Sequence, residues 1–495
     1  MADRDDFVQD LTDQEDNFSR WYTEVIRKAK LADYSPVRGS MVIRPYGYAL
    51  WENIQALLDR RFKETGHVNA YFPLLVPESL LQKEAEHVEG FAPEVAWVTH
   101  AGQNKLEERY CIRPTSEAII GAMYSRWIDS WRDLPLLINQ WCNVMRWEKV
   151  TRLFLRTSEF LWQEGHTVHA TEEEAEEETL RMLGVYQEFI QNELAIPIWA
   201  GRKTEKEKFA GALRTYSVEA LMRDGKALQA GTSHNLGQHF AKVFDIQFQD
   251  RDGVRKYAWQ TSWGVSTRLI GALIMVHGDD SGLMLPPNVA PVQVVIVPIW
   301  RKEEDRTRVL EMVERVQALL KPVCRVQADT DEQNTPGWKY NEHEMRGVPL
   351  RLEIGPRDVQ NESVVLVRRI DRQKAFVPLA EVAQRVPELL KELQEQLFQR
   401  ALAFREENTH EAADWAQFTA IFPTREAGEE AAEAEGARRG FVWANWCGDR
   451  KCEERIQAET KATVRCMPLE RPGPSGACVH CGGEGTERVL FARAY

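Results

Sequence analysis

The chain has 495 residues, enough for about three domains at ~150 residues each. Its 43% hydrophobic and 28% charged composition is that of an ordinary globular protein and excludes a disordered or fibrous one. The balance of 63 Lys+Arg against 76 Asp+Glu, a net −13, argues against a uniformly basic nucleic-acid coat but leaves room for a local basic face.

The start, Met1 to Asp6, is acidic and lacks the apolar core of a secretory signal. No run approaches the ~18 apolar residues of a membrane span, so a cytoplasmic chain with no membrane partner is expected. Phe18, Trp21, Tyr22, Val25 and Ile26 recur at helical spacing. A second helix is predicted from Gly47 to Thr65, stopped by Gly66, with a short strand from His67 to Pro73. A helix is predicted from Ser116 to Trp127. Strands from Leu136 to Arg146 and from Glu159 to Ala170 alternate as an antiparallel pair does, with a basic loop from Glu148 to Arg156 between them. Thr171 opens an acidic run that reads as a capped, solvated helix start. A helix of small residues is predicted at Gly264 to Val276, and Gly282 to Asn288 reads as a domain boundary. Beyond it, strands at Val292 to Pro298, Val323 to Ala328, Pro349 to Gly355 and Ser363 to Arg369 alternate with a helix at Glu303 to Leu320, the order of a small α/β domain. A long helix from Leu379 to about Glu407 leads into a last, mixed region. The expected domains are 1–285, 290–400 and 401–495.

Five of the eight cysteines lie in the last 49 residues. Cys447 and Cys452 form a C-x4-C pair, and Cys478 and Cys481 a C-x2-C pair 26 positions further on. Two short-spaced thiol pairs are what a tetrahedral structural Zn²⁺ requires. The glycines after Cys481 permit the tight turn that aims backbone N–H groups at sulfur. His480 and Cys466 are possible substitute ligands, but four thiolates already close the site, and a closed site is structural.

Three places carry charge where strands or helices are otherwise apolar: Arg146-Trp147-Glu148, Arg156 to Phe160, and Arg268. Buried arginines need anionic partners, protein carboxylates or a bound phosphate. With aromatic neighbours they suit a nucleoside triphosphate on an antiparallel sheet. No G-x-x-x-x-G-K-[ST] loop is present, which excludes a P-loop NTPase.

These residues resemble the motifs of class II aminoacyl-tRNA synthetases: Gly66 to Pro73 motif 1, Arg146-x-Glu148 with Arg156 to Phe160 motif 2, and Gly264 to Gly271 motif 3. Within that class, Arg113 to Glu117, Trp162 to His166 and Gly231 to His234 resemble the prolyl-tRNA synthetase family. Val292 to Pro378 is similar to its anticodon-binding domain, and the terminal cysteine domain to the zinc-bearing extension of the archaeal/eukaryotic-type branch. The resemblance implies a mixed α/β (α+β) chain with an antiparallel-sheet catalytic domain, an α/β anticodon-binding domain and a small mixed zinc-binding domain.

It also implies roles. Arg146 would hold the α-phosphate and the proline carboxylate, Glu148 the adenine amino group, and Phe160 would stack on the ring. Arg156 and Arg268 would hold the outer phosphates, with Thr157 beside them and Gln229 and Thr232 on the ribose or phosphates. Thr115 and Glu117 suit a secondary ammonium; Phe91, Trp162, Glu164, His234 and Ser262 would surround the five-membered ring. Catalytic weight falls on Arg146 and Arg268, with ATP, Mg²⁺ and a structural Zn²⁺ as cofactors. L-proline and tRNA(Pro) are the implied partners, in a homodimer built on motif 1.

For His166 and His239, core or surface roles are the simpler reading. Only about 60 residues separate Thr171 from Gln229, too few for the editing insertion of bacterial-type relatives. From Met345 to Pro378 seven Lys/Arg face four acids, a local +3 that marks the expected anticodon face, with Glu353, Arg357 and Arg369 as candidate tRNA contacts. The end, Val489 to Tyr495, is apolar enough to dock, and the resemblance implies that it approaches the active site, with a role for Tyr495. Two rivals stand against a ligase. A paralogue that has lost catalysis should lack the phosphate arginines, and a threonine enzyme should carry a thiol where Arg113-Pro114-Thr115 stands.

Overall fold

The computed structural model describes residues 11–85, 94–424, 440–470 and 473–495. Its centre is an eleven-stranded sheet. Strand Leu136–Met145 runs antiparallel to Glu159–His169, paired from Leu136↔Val168 to Met145↔Glu159. The expected pair is therefore one long hairpin, and its loop delivers Arg146 to Ser158 to one end of the sheet. Glu159–His169 pairs with Trp259–Ser266, which continues through Ala227–Gly237 and Arg214–Leu221 to Ile198–Arg202. The predicted motif 1 strand reduces to Val68–Asn69, parallel to Leu136–Met145.

Helices Gln14–Lys28 and Pro45–Glu64 lie where the periodicity placed them and bury Trp21, Tyr22, Val25 and Ile26 from the first and Leu50, Trp51, Ile54, Leu58 and Phe62 from the second. Trp263 packs 5.1 Å from Phe62, and opposite it in the ladder stands Gly165, where a Cβ would meet the indole at 2.1 Å. Any side chain at position 165 would push the tryptophan out of the core.

One predicted helix begins too early. Gly264, Val265 and Ser266 finish strand Trp259–Ser266, and the helix is Arg268–His277. Small residues resemble a helix by composition, but Val265 is buried between partly exposed Gly264 and Ser266, and ladder pairing to Trp162 and Glu164 decides the outcome. Arg268 therefore stands at the helix start, not within it. The rest of that helix is buried, and each of Leu269, Ile270, Leu273 and Ile274 contributes about 1.5–3 kcal/mol by leaving water.

Helix Glu172–Asn192 is capped as expected, the Thr171 Oγ1 accepting from Glu174 N. Its acids are not simply solvated, however. Glu172 and Glu176 pair with Arg214 at 2.8 and 2.9 Å, and buried Glu178 faces His67 at 2.9 Å. This acidic face ties the helix to the sheet beneath it.

Residues 294–378 form a separate five-stranded sheet, parallel at Val294–Pro298 and antiparallel beyond Leu350–Ile354. Strand Lys374–Pro378 was not predicted, its exposed lysine and phenylalanine hiding the pattern. Helix Val382–Glu407 follows a turn of 3-10 helix at Leu379–Glu381. The last region is not a free appendage. Its strand Thr463–Pro468 pairs with Ile198–Arg202, so the C-terminal strands continue the catalytic sheet.

Candidate active site and metal centre

A pocket of about 330 Å³ opens on the sheet between the Arg146–Ser158 hairpin loop and helix Arg268–His277. Of the expected contacts, Thr115, Glu117, Arg146, Phe160, Trp162, Glu164, Gln229, Thr232, His234, Ser262 and Arg268 line it. They come from five separate stretches of chain and meet only because the ladder aligns them. Ser262, for example, stands between His166 on one neighbouring strand and His234 on the other.

The two arginines are held by main-chain carbonyls, not carboxylates. Arg146 Nε donates to Pro114 O at 3.0 Å, and its guanidinium lies 5.5 and 5.4 Å from the ring centres of Phe160 and Trp162. Arg268 donates to Leu155 O at 3.2 Å and Gln229 O at 3.3 Å. Burial pushes both guanidinium groups below the usual arginine range, opposed at Arg146 by Glu117, Glu164 and Glu148. Arg146 is exposed and Arg268 half-buried toward the pocket, and two cations that face a cavity with no carboxylate in contact make a ready anion site.

The opposite wall is acidic and neutral. Thr115 donates to Glu117 in a short hydrogen bond. Glu164 accepts from Ser116, from Gln140 Nε2 at 2.9 Å and from Cys142 Sγ at 3.3 Å, and pairs with His166 at 2.9 Å. Burial alone would raise the Glu164 carboxyl; His166, Ser116 and Gln140 outweigh it and hold the group below its ordinary value. Burial lowers His234 to about 3, so that ring is neutral, set by Thr215 Oγ1 at 2.9 Å and tilted against Phe209 at 4.8 Å.

Glu148 and Arg156 do not line the pocket; they pair with each other at 2.7 Å. Thr157 is buried and donates to Glu159 O at 2.7 Å, so it shapes the hairpin. Phe91 lies outside the described residues. His239 Nδ1 donates to Gly211 O at 2.9 Å and does not line the pocket. His166, by contrast, is both a buried partner of Glu164 and part of the pocket wall. Sequence reasoning missed Glu207 and Phe209, which line it from an irregular segment without periodicity. It also missed Ser116, Gln140 and Cys142 as holders of Glu164. Arg113, noted only as part of a motif, is a buried brace donating to Asn143 O and Phe72 O. Tyr495 docks beside the site, its N–H on Ala227 O at 3.1 Å and its ring 5.2 Å from the Arg152 guanidinium.

In the second sheet the basic face is largely spent on ion pairs. Arg346 pairs with Glu342, Arg368 with Asp371, Arg372 with Glu344, and Arg351 and Lys374 with Glu353. Arg369, expected to meet RNA, is 7% exposed and grips Asp279 at 2.5 and 2.9 Å, because the seam with the catalytic domain passes there. It fastens the two domains. Gly282 sits in the same seam at φ +121, where a Cβ would come within 2.7 Å of Met345. Arg357 is exposed.

The four sulfurs of Cys447, Cys452, Cys478 and Cys481 lie within 4.8 Å of one another. The Cys452–Cys478 separation of 3.7 Å is far too long for a disulfide but close to the ~3.8 Å between thiolates on a tetrahedral zinc with ~2.3 Å bonds. Burial raises the Cys478 thiol, but backbone N–H groups of Cys481, His480 and Cys447 more than offset that and bring it to about 7. His480 turns its Nε2 to Glu459 at 3.2 Å, and Cys466 is buried in strand Thr463–Pro468, outside the cluster. The donor set fits a structural zinc.

An antiparallel sheet with arginines on a hairpin loop and a helix start, joined to a small α/β domain, defines a class II aminoacyl-tRNA synthetase. Comparison agrees: the family described as tRNA synthetase class II core domain (G, H, P, S and T) matches residues 97–277, the anticodon binding domain 293–389, and the prolyl-tRNA synthetase C-terminal family 429–495. The proline--tRNA ligase of Natranaerobius thermophilus is 58% identical over 493 residues, 99% of each chain, and that of Symbiobacterium thermophilum 58% over 498, all of both. The prolyl-tRNA synthetase of Cryptosporidium parvum complexed with halofuginone and AMPPNP superposes with a TM-score of 0.90 at 40% identity, covering 98% of this chain and 99% of that one. The same enzyme complexed with L-proline and AMP gives 0.89 at 38%, over 98% and 96%. The chain belongs to the proline--tRNA ligase family. Its relatives align over essentially their whole lengths, so the chain shares their lack of a large editing insertion.

Proposed function

We propose that the pocket activates L-proline with ATP by holding both anions on Arg146. The observation that carries this is the pairing of opposite walls. Arginines open to the pocket and free of carboxylate contact share its wall of about 330 Å³ with buried Glu117 and Glu164. A zwitterion fits such a gap in one orientation, its ammonium on Thr115 and Glu117 and its carboxylate toward Arg146. The ring then lies against Trp162, Glu164, neutral His234 and Ser262, with Phe91 as a further contact. Fixing the carboxylate beside the α-phosphate makes the attack intramolecular in effect, and Arg146 meets the charge building on phosphorus.

Arg268 and Arg156 take the outer phosphates, on which a bound Mg²⁺ would supply further charge neutralisation. Phe160 stacks on adenine and Glu148 accepts from its amino group, which requires the Glu148–Arg156 pair to open. Gln229 and Thr232 face the ribose or phosphates, and Thr157 keeps the hairpin in shape. Cys447, Cys452, Cys478 and Cys481 would hold a zinc ion that ties the C-terminal loops together and lies outside the chemistry. The three units are those read from the sequence, 1–285, 290–400 and 401–495. Arg357, with Glu353 behind it, is the remaining candidate for tRNA(Pro). A homodimer is supported by the motif 1 segment, where Val68 and Tyr71 stand 60% and 71% exposed. No described helix is long and apolar enough to cross a membrane, in keeping with work in the cytoplasm.

The test separates the walls. Glu117→Gln should raise the KM for proline by about 10–100-fold while leaving that for ATP within twofold, since it removes one charge-assisted contact. Equal changes in both constants would contradict the assignment.

A further inference from the structure

Beneath Arg268 lies a buried charge cluster that the pocket itself does not use. Glu219 is fully buried in strand Arg214–Leu221, opposite Gln229 in the ladder, and Gln229 O is the carbonyl that receives Arg268. One Glu219 oxygen accepts from Lys203 Nζ at 2.7 Å and Ser217 Oγ at 2.8 Å. The other accepts from Arg465 Nε at 3.1 Å and Nη2 at 3.0 Å. Lys203 also donates to Arg465 O at 2.6 Å. Arg465 belongs to strand Thr463–Pro468, in the C-terminal region.

The charges do not balance locally. Lys203 and Arg465 are buried and share one carboxylate, Glu219, while half-buried Arg268 lies near it without contact. The neighbouring Arg146 and Arg156 add to the positive field felt at Arg268, against which only Glu219 acts among its main electrostatic partners. Excess buried charge is costly unless an anion neutralises it. The open side of this cluster is the pocket wall of Gln229 to Thr232 and Arg268, which is where a polyphosphate would lie.

We propose that Arg465 and Lys203 are positioning residues for ATP. Through Glu219 they fix the strand that seats Arg268 and raise the positive potential at its guanidinium, so that the C-terminal region forms part of the nucleotide site. This rests on the reading that Arg268 holds the outer phosphates.

The full-length, zinc-loaded chain serves for the test, in proline-dependent ATP–pyrophosphate exchange. Arg465→Gln should raise the KM for ATP about tenfold, with that for proline within twofold, while Arg465→Lys restores most of the loss. The rise in melting temperature that Mg-ATP produces should shrink in parallel. Thr463→Val removes only the hydroxyl that receives Arg465 Nη1 at 3.0 Å, and should give a smaller change in the same direction even if Arg465→Gln folds poorly. An unchanged ATP constant in Thr463→Val and Arg465→Gln, or proline and ATP constants rising together, would overturn the inference. Arg268→Ala separates the two levels. If it leaves ATP handling intact, the reading of Arg268 itself fails; if it weakens ATP while the Arg465 and Thr463 variants do not, only the present inference fails.

Discussion

The catalytic pocket and the anticodon-binding domain are both rich in arginine, yet the two use it in opposite ways. In the pocket, Arg146 and Arg268 rest on carbonyl oxygens and keep their charge for a ligand. In the second sheet, Arg346, Arg351, Arg368, Arg369, Arg372 and Lys374 each meet a carboxylate. A cation committed to a carboxylate must break that pair before it can serve an RNA phosphate. On the proposed assignment, function follows uncommitted charge more closely than charge count.

The comparison can be broken at several points. The largest effect should come from Arg146→Ala, which is expected to lower adenylate formation by about 10²–10³-fold with little change in melting temperature, because the lost interaction is made with the reacting anions. Rapid-quench measurement of prolyl-adenylate checks it. A marked loss of stability instead would place Arg146 with the structural arginines.

Acid should separate the two regions by pH. His234 and His277 are lowered by burial to about 3, and His169 to about 4, while an unfolded histidine titrates near 6.5. Between those values the unfolded chain binds more protons, so the catalytic region loses stability as pH falls from about 6.5, by at most about 1.4 kcal/mol per pH unit per histidine. His166 works against this, since Glu164 raises its affinity for a proton and that contribution persists at low pH. In the second sheet, Asp329 is lowered to about 2; burial opposes the shift, while His343 and Lys339 produce it. Its contribution is intact above about 3.8 and is lost only on further acidification toward 2. Hydrogen exchange followed from pH 7 to 4 should therefore show the catalytic core loosening first. Simultaneous loosening of both would contradict these assignments.

A smaller effect is expected at the domain seam. A double-mutant cycle on Arg369→Ala and Asp279→Ala, read by denaturant melts, should give a coupling of about 1–3 kcal/mol. Aminoacylation by the double variant should keep the tRNA KM within a few-fold. A large rise in that constant would return Arg369 to the RNA face. Smaller still, Arg357→Ala should raise the tRNA KM a few-fold and flatten its salt dependence by about one phosphate contact, with no change in exchange.

Much of this was legible from sequence, and the failures have a common cause. The hairpin Leu136 to His169 shows itself because alternation is local and long. The cysteine cluster shows itself because its ligands come in two short-spaced pairs. Thr115, Glu117 and His234 are visible through motif resemblance. The missing pieces depend on contacts between distant segments. Phe209 reaches the pocket from an irregular loop, Arg465 reaches Glu219 from 246 positions away, and Arg369 is claimed by Asp279 across the seam. The start of helix Arg268–His277 was misplaced because composition does not reveal which strand a glycine pairs with.

Uncommitted arginines beside buried carboxylates are what we propose makes this a pocket for proline and ATP. Amino-acid-dependent ATP–pyrophosphate exchange, run with each of the twenty amino acids, tests it most directly. Exchange should peak with proline, with weaker signals from small isosteres, because shape alone discriminates by only about 10–200-fold per methylene. No exchange with any amino acid, or a maximum with threonine, would contradict it.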